Sequence, residues 1–147
     1  MYECFEVSIT DKVAHVQLKR PDDLNTMVPA FWSELPAIVR QIDAERSARA
    51  IVISSTGKHF CAGMDLSVFS GGSGLATNGG ATEIGRQRSH LFLMVQQLQD
   101  SFSALEQVRM PVLVAVQGGA IGGAVDMICA ADMRYASADA FFCIQEI

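Results

Sequence analysis

The chain has 147 residues with 11 basic and 16 acidic side chains, a net charge of −5; half of its residues are hydrophobic and only 18% are charged. That balance excludes a disordered chain, which is too polar to bury a core, and a basic nucleic-acid binder, since neither is apolar and mildly acidic at once. One domain of this length hides roughly 68–70% of its unfolded surface, so no disulfide or metal staple is required.

Residues 4–9 and 13–18 are β-rich runs separated by Thr10-Asp11-Lys12, the pattern of an antiparallel hairpin. Arg20-Pro21-Asp22-Asp23 breaks the sheet pattern. Over 28–44, Phe31, Leu35, Ile38, Val39 and Ile42 recur at helical spacing, with Thr26 as the candidate cap, Pro29 in the first turn and Pro36 expected to kink the helix. Residues 50–54 read as a buried strand. Residues 70–80 hold five glycines in eleven positions and read as a flexible surface loop. Leu91, Met94, Val95, Leu98, Phe102 and Leu105 then mark one face of a long helix over 82–107, with Met94 assigned to the core.

Residues 111–116 form a second continuous apolar strand, and Gly118 to Gly123 turn the chain into a helix through Ala131. Residues 133–136 and 140–144 are further strand candidates. The apolar stretch 112–131 is not read as a membrane span, because Gln117, Asp126 and four glycines interrupt it. Alternating strands and helices place the chain in the α/β class.

Cys4, Cys61, Cys129 and Cys143 lie far apart in apolar stretches and are expected to be buried free thiols of a reducing compartment. His15, His59 and His90 are equally scattered, so no metal site is expected. The first residues carry acids where a leader would carry Arg and Lys, which suggests a cytoplasmic protein. The last seven, Phe141 to Ile147, end in an apolar run with no turn or polar tail, as in a piece of a longer chain.

Three glycine motifs are excluded by inspection: Ala120 breaks a dinucleotide fingerprint, Gly57-Lys58 lacks the upstream glycine of a P-loop, and no G-x-S-x-G occurs. Two glycine-bearing turns remain, His59 to Leu66 after the first buried strand and Gly118 to Gly123 after the second. In open α/β folds such turns flank the ligand crevice. The amide of Gly123, opening a helix, has no carbonyl partner. Were the Met64 amide to share its crevice, the pair would suit an oxygen gaining negative charge. The plainer reading is two tight strand-to-helix connections.

Asp126 sits in the first turn of an apolar helix. It reads either as a dipole partner or as a carboxyl that burial among Val125, Met127 and Ile128 raises toward neutrality for proton transfer; burial is expected to dominate. Glu146 reads most simply as a strand-end acid, or as a second carboxyl beside Asp126.

Arg20-Pro21-x-x-x-Asn25, His59 to Leu66, Gly118 to Asp126 and Ala131-Asp132-Met133-Arg134-Tyr135 occur in the order that resembles the crotonase, or enoyl-CoA hydratase/isomerase, superfamily. The resemblance spans essentially all residues. It implies a ββα spiral core, here over residues 1–147, without the family's C-terminal helical trimerisation region. It also implies an acyl-CoA thioester held by the Met64 and Gly123 amides, with the CoA part contacted around Leu24, Cys61, Ala62, Asp65 and Leu66. CoA belongs to the substrate, so no separate cofactor is implied. Neither nucleic acid nor membrane is expected as a partner, and the full-length protein is expected to be a homotrimer or a dimer of trimers.

Typical 2-enoyl-CoA hydratases of the family carry Glu at the positions of Asp126 and Glu146. Asp followed by Glu is more similar to Δ3,5-Δ2,4-dienoyl-CoA isomerase of fatty-acid β-oxidation. There Glu146 would exchange the C2 proton, Asp126 would tune the site, and a further Asp beyond residue 147 would serve the distal carbon. A hydratase, and a non-catalytic acyl-CoA or RNA binder on the same fold, are the alternatives; the −5 charge argues against RNA.

Overall fold

The computed structural model describes residues 1–66 and 83–145. Strands β1 (Phe5–Thr10) and β2 (Val13–Leu18) pair antiparallel, Thr10 opposite Val13. Asp11 and Lys12 between them both have positive φ, +50° and +67°, as the primed two-residue turn that matches strand twist requires. Helix α1 (Pro29–Glu45) starts on a proline whose missing N–H costs nothing there and buries Phe31, Leu35, Ile38, Val39 and Ile42. Its N-cap is Val28, with no side-chain cap bond, and Thr26 instead donates to Asp65.

Strand β3 (Ala50–Ser55) lies parallel beside β2, and β4 (Val112–Val116) parallel beside β3. Helix α2 (Ile84–Gln107) connects to β4 and is capped by Glu83, whose carboxylate accepts from the Gly85 and Arg86 amides. Strand β5 (Gly119–Ile121), helix α3 (Gly123–Cys129), β6 (Met133–Ala136) and β7 (Phe141–Cys143) complete the described elements. The large sheet runs β1-β2-β3-β4-β6, with its inward row (Ala14, Val16, Leu18, Ile51, Ile53, Val112, Val114) closing on α1.

A second strip is built from short segments. Met27 bridges Met64, Cys61 bridges Ala120, and β5 pairs with β7, all parallel. Each segment follows a strand of the large sheet, so every turn of chain adds one rung to the sheet and one to the strip. Repetition of that step gives a spiral.

Several expectations need correction. Residues 119–121 form a strand rather than part of a turn. Cys129 is exposed and Cys143 half-exposed, whereas Cys4 and Cys61 are buried; all four are free. Only the last third of α2 is core, through Ser101, Ala104 and Leu105; Met94 is half-buried and Leu91 exposed. The glycine-rich loop at 70–80 lies outside the described residues.

Candidate active site

Asn25 holds the site together. It is 2% exposed; its Oδ1 accepts from the Arg20 amide at 2.9 Å, and its Nδ2 donates to the carbonyls of Thr56 at 2.7 Å and His59 at 3.3 Å. This latch joins the loop after β2 to the loop after β3. The Ala62 amide donates to the Leu24 carbonyl, and the Thr26 hydroxyl to Asp65 at 2.8 Å, so residues 24–27 run beside 61–65. The motif Arg-Pro-x-x-x-Asn therefore marks a fastener, which spacing alone did not disclose.

Gly63 has φ +84°, and a Cβ there would stand 2.7 Å from the Ile121 carbonyl oxygen and 3.7 Å from Gly122 Cα. The two glycine turns thus abut. The Gly63 carbonyl accepts from the Met27 amide at 2.8 Å, and because C=O and N–H of a trans peptide point opposite ways, the Met64 amide faces away from Met27. Gly122 has φ +56°, and its carbonyl accepts from Val125 at 2.7 Å, which turns the Gly123 amide the other way. Among the described residues neither the Met64 nor the Gly123 amide donates to a protein acceptor.

Both residues line one open cavity of about 1210 Å³. Its lining includes Ala62, Met64, Asp65, Gly123, Asp126 and Gln145, together with the apolar side chains of Trp32, Val95, Leu98 and Phe102. Asp126 occupies the first turn of α3 as expected, but it is exposed rather than buried. A helix of seven residues with an open flank leaves its carboxyl in the cleft instead of among the neighbouring aliphatic side chains. Glu146 lies outside the described residues.

Of the segment assigned to CoA, Ala62, Asp65 and Leu66 line the cavity, and Leu66 is 78% exposed. Leu24 and Cys61 do not. Cys61 is fully buried, with its amide donating to the Gly119 carbonyl and its carbonyl accepting from the Ile121 amide, which places it in the strip behind the cavity lining. Burial pushes the Cys61 thiol up to about 12 and the Cys4 thiol up to about 11, keeping both protonated. Trp32 and Phe102 were not singled out as site residues by the sequence, although Phe102 belongs to the helical stripe. No group of three or more His, Cys, Asp or Glu suited to a metal occurs among the described residues.

Residues 8–147 match the family model described as enoyl-CoA hydratase/isomerase. The chain belongs to this family. Among its curated relatives, the peroxisomal Δ3,5-Δ2,4-dienoyl-CoA isomerase of Arabidopsis thaliana is 37% identical over 99% of this chain and 51% of its own length. The mitochondrial enzyme of the same name from Rattus norvegicus is 38% identical over 99% of this chain and 44% of its own. The chain thus spans about half the length of the relatives it matches. Among solved family structures, an enoyl-CoA hydratase from Mycobacterium smegmatis superposes with a TM-score of 0.81 at 28% identity, covering 97% of this chain and 49% of that one. The spiral core is that of the crotonase fold. No helix among the described residues is long and apolar enough to cross a membrane.

Proposed function

We propose that the full-length protein is an acyl-CoA isomerase of fatty-acid β-oxidation that converts 3,5-dienoyl-CoA to 2,4-dienoyl-CoA. The thioester oxygen accepts from the Met64 and Gly123 amides. A base removes a proton from C2, the electron pair spreads over the trienolate, and a proton is returned at C6, so both double bonds move one position toward the thioester. Glu146 takes the C2 proton and Asp126 tunes the site, while the segment through Ala62, Asp65 and Leu66 faces the CoA part. One observation carries the reading: Met64, Gly123 and Asp126 line a single cleft. Two fixed donors aimed at a developing oxyanion stabilise it without reorganisation, and losing one such donor typically costs ~10²–10³ in rate.

Relatives at 37–38% identity named for this isomerisation support the choice of substrate. A 2-enoyl-CoA hydratase is the second reading, favoured by the names of solved neighbours such as that from M. smegmatis. Asp rather than Glu at 126 favours the isomerase. A homotrimer or a dimer of trimers is proposed for the full-length protein on the family resemblance. The cytoplasmic expectation finds no support in relatives named peroxisomal or mitochondrial.

Full-length enzyme offered 3,5-dienoyl-CoA and 2-enoyl-CoA separately, followed by ultraviolet absorbance, tests the assignment. Conversion of the dienoyl ester is expected. Turnover of the 2-enoyl ester alone overturns the isomerase in favour of the hydratase.

A further inference from the structure

We propose that Trp32 selects the acyl group, favouring a planar conjugated chain over a saturated one of equal length. This role rests on the acyl-CoA reading above and adds a determinant of specificity to it. The cleft lining combines the glycine turns and Asp126 with Trp32 from α1 and Val95, Leu98 and Phe102 from α2. The three α2 residues share one helical stripe.

Trp32 is placed where the acyl chain must begin. A Cβ on Gly123 would lie 3.8 Å from Trp32 Cη2, so the indole edge borders the residue whose amide is assigned to the thioester oxygen. An acyl chain whose carbonyl is held there would leave past the indole edge. The ring is also fixed. Phe31 meets it edge-on at 5.4 Å and 75°, and Phe102 at 5.4 Å and 59°. The Ser101 hydroxyl, on a fully buried residue of α2, donates to the Trp32 carbonyl at 2.9 Å and ties both helices together behind it.

A fixed flat surface discriminates by shape and flexibility. A conjugated dienoyl group is planar and already stiff, so it lies against the indole with few torsions to freeze, whereas a saturated chain must lose several. Pairs of aromatic rings gain ~0.5–1.5 kcal/mol beyond area burial, and taking that as the ceiling for a flat diene against the indole sets the preference at up to about tenfold. Trp32 Nε1 is buried without a hydrogen-bond partner among the described residues. Replacing the indole by a phenyl ring therefore removes an unpaired donor rather than breaking a bond.

The test measures affinities of full-length protein for 2,4-dienoyl-CoA, a saturated acyl-CoA of the same length, and CoA alone. Wild type is expected to prefer the dienoyl ester by up to about tenfold, Trp32→Phe to keep most of that preference, and Trp32→Leu to bring the two esters within about twofold, with CoA unaffected. Trp32→Leu that retains the wild-type preference, or that weakens all three ligands equally, overturns the role. Fluorescence supplies a readout independent of folding in the Leu variant. The emission present in wild type and absent in Trp32→Phe is expected to respond to the dienoyl ester and not to CoA, and a silent signal overturns the role as well. Failure of every CoA ester to bind overturns the acyl-CoA reading together with it, whereas isomerisation with unaltered preference in Trp32→Leu removes only the role of Trp32.

Discussion

Gly63 and Ile121 meet backbone to backbone, with no room between them for a methyl group: a Cβ at 63 would stand 2.7 Å from the carbonyl oxygen of 121. Because Met64 follows Gly63 directly and Gly123 lies two residues beyond Ile121, this contact sets the spacing of the two amides assigned to the oxyanion. Gly63→Ala adds both a clash and a left-handed φ unfavourable to alanine. It is expected to cost about 1–3 kcal/mol for the backbone alone and to depress turnover further by spreading the turns. Denaturant unfolding and a turnover assay on the full-length variant check both, and wild-type values in each would refute the spacing role.

Asn25→Ala removes one acceptor and one donor group at a buried junction and leaves the Arg20 amide and the Thr56 carbonyl without their partner. A loss of about 1–3 kcal/mol is expected, seen as a lower urea midpoint. Asn25→Asp keeps the acceptor but places a carboxylate against two carbonyl oxygens, so it should be no milder than alanine.

Thiol chemistry should separate the cysteines. At pH 8 in the folded protein, exposed Cys129 is expected to react with an alkylating reagent first, and Cys4 and Cys61 only after unfolding. The linked stability effect has a definite sign. Both buried thiols have folded pKa values raised above 9.0, so their contribution is fully present below pH 9 and declines as pH rises toward about 11 for Cys4 and about 12 for Cys61. Mass mapping of the labelled sites and unfolding curves above pH 9 provide the readouts.

In the full-length enzyme, Asp126→Asn is expected to suppress turnover while leaving CoA-ester affinity within a few-fold, and Glu146→Gln to do the same. Single-turnover rates and equilibrium binding, measured separately, distinguish chemistry from affinity. Unchanged turnover in both variants would remove the two carboxyls from the chemistry, whereas a wild-type protein that binds CoA esters and turns over neither would be a non-catalytic acyl-CoA binder.

The hairpin, α1, β3 and β4 were legible in the sequence because each carries its own periodicity: alternation in Val13–Leu18, helical spacing from Phe31 to Ile42, and unbroken apolar runs in the two parallel strands. Strand β5 was not, since Gly119-Ala120-Ile121 is too short for a pattern and is a strand only because Phe141 to Cys143 and Cys61 pair with it. Thr26 had the chemistry of a cap, but Asp65, distant in sequence, takes its hydroxyl. The α2 stripe was read as core because periodicity reports an apolar face without saying what it faces; Val95 and Leu98 turn it toward the cleft. For Asp126, the neighbours along the chain were aliphatic while the neighbouring space was open. Met64 and Gly123, located by their turns, do share a cavity.

The rung-by-rung pairing of the spiral leaves its last described turn with a particular liability. Strands β6 and β7 are the rims of their two sheets, and the side chains of Met133, Tyr135, Phe141 and Phe142 on them are exposed. Among the described residues no strand pairs with the outer margin of either, and that margin lies beside apolar side chains, a template for any extended segment that arrives. In a solution of the 147-residue chain alone, self-association by strand addition should grow with concentration and begin at these two margins.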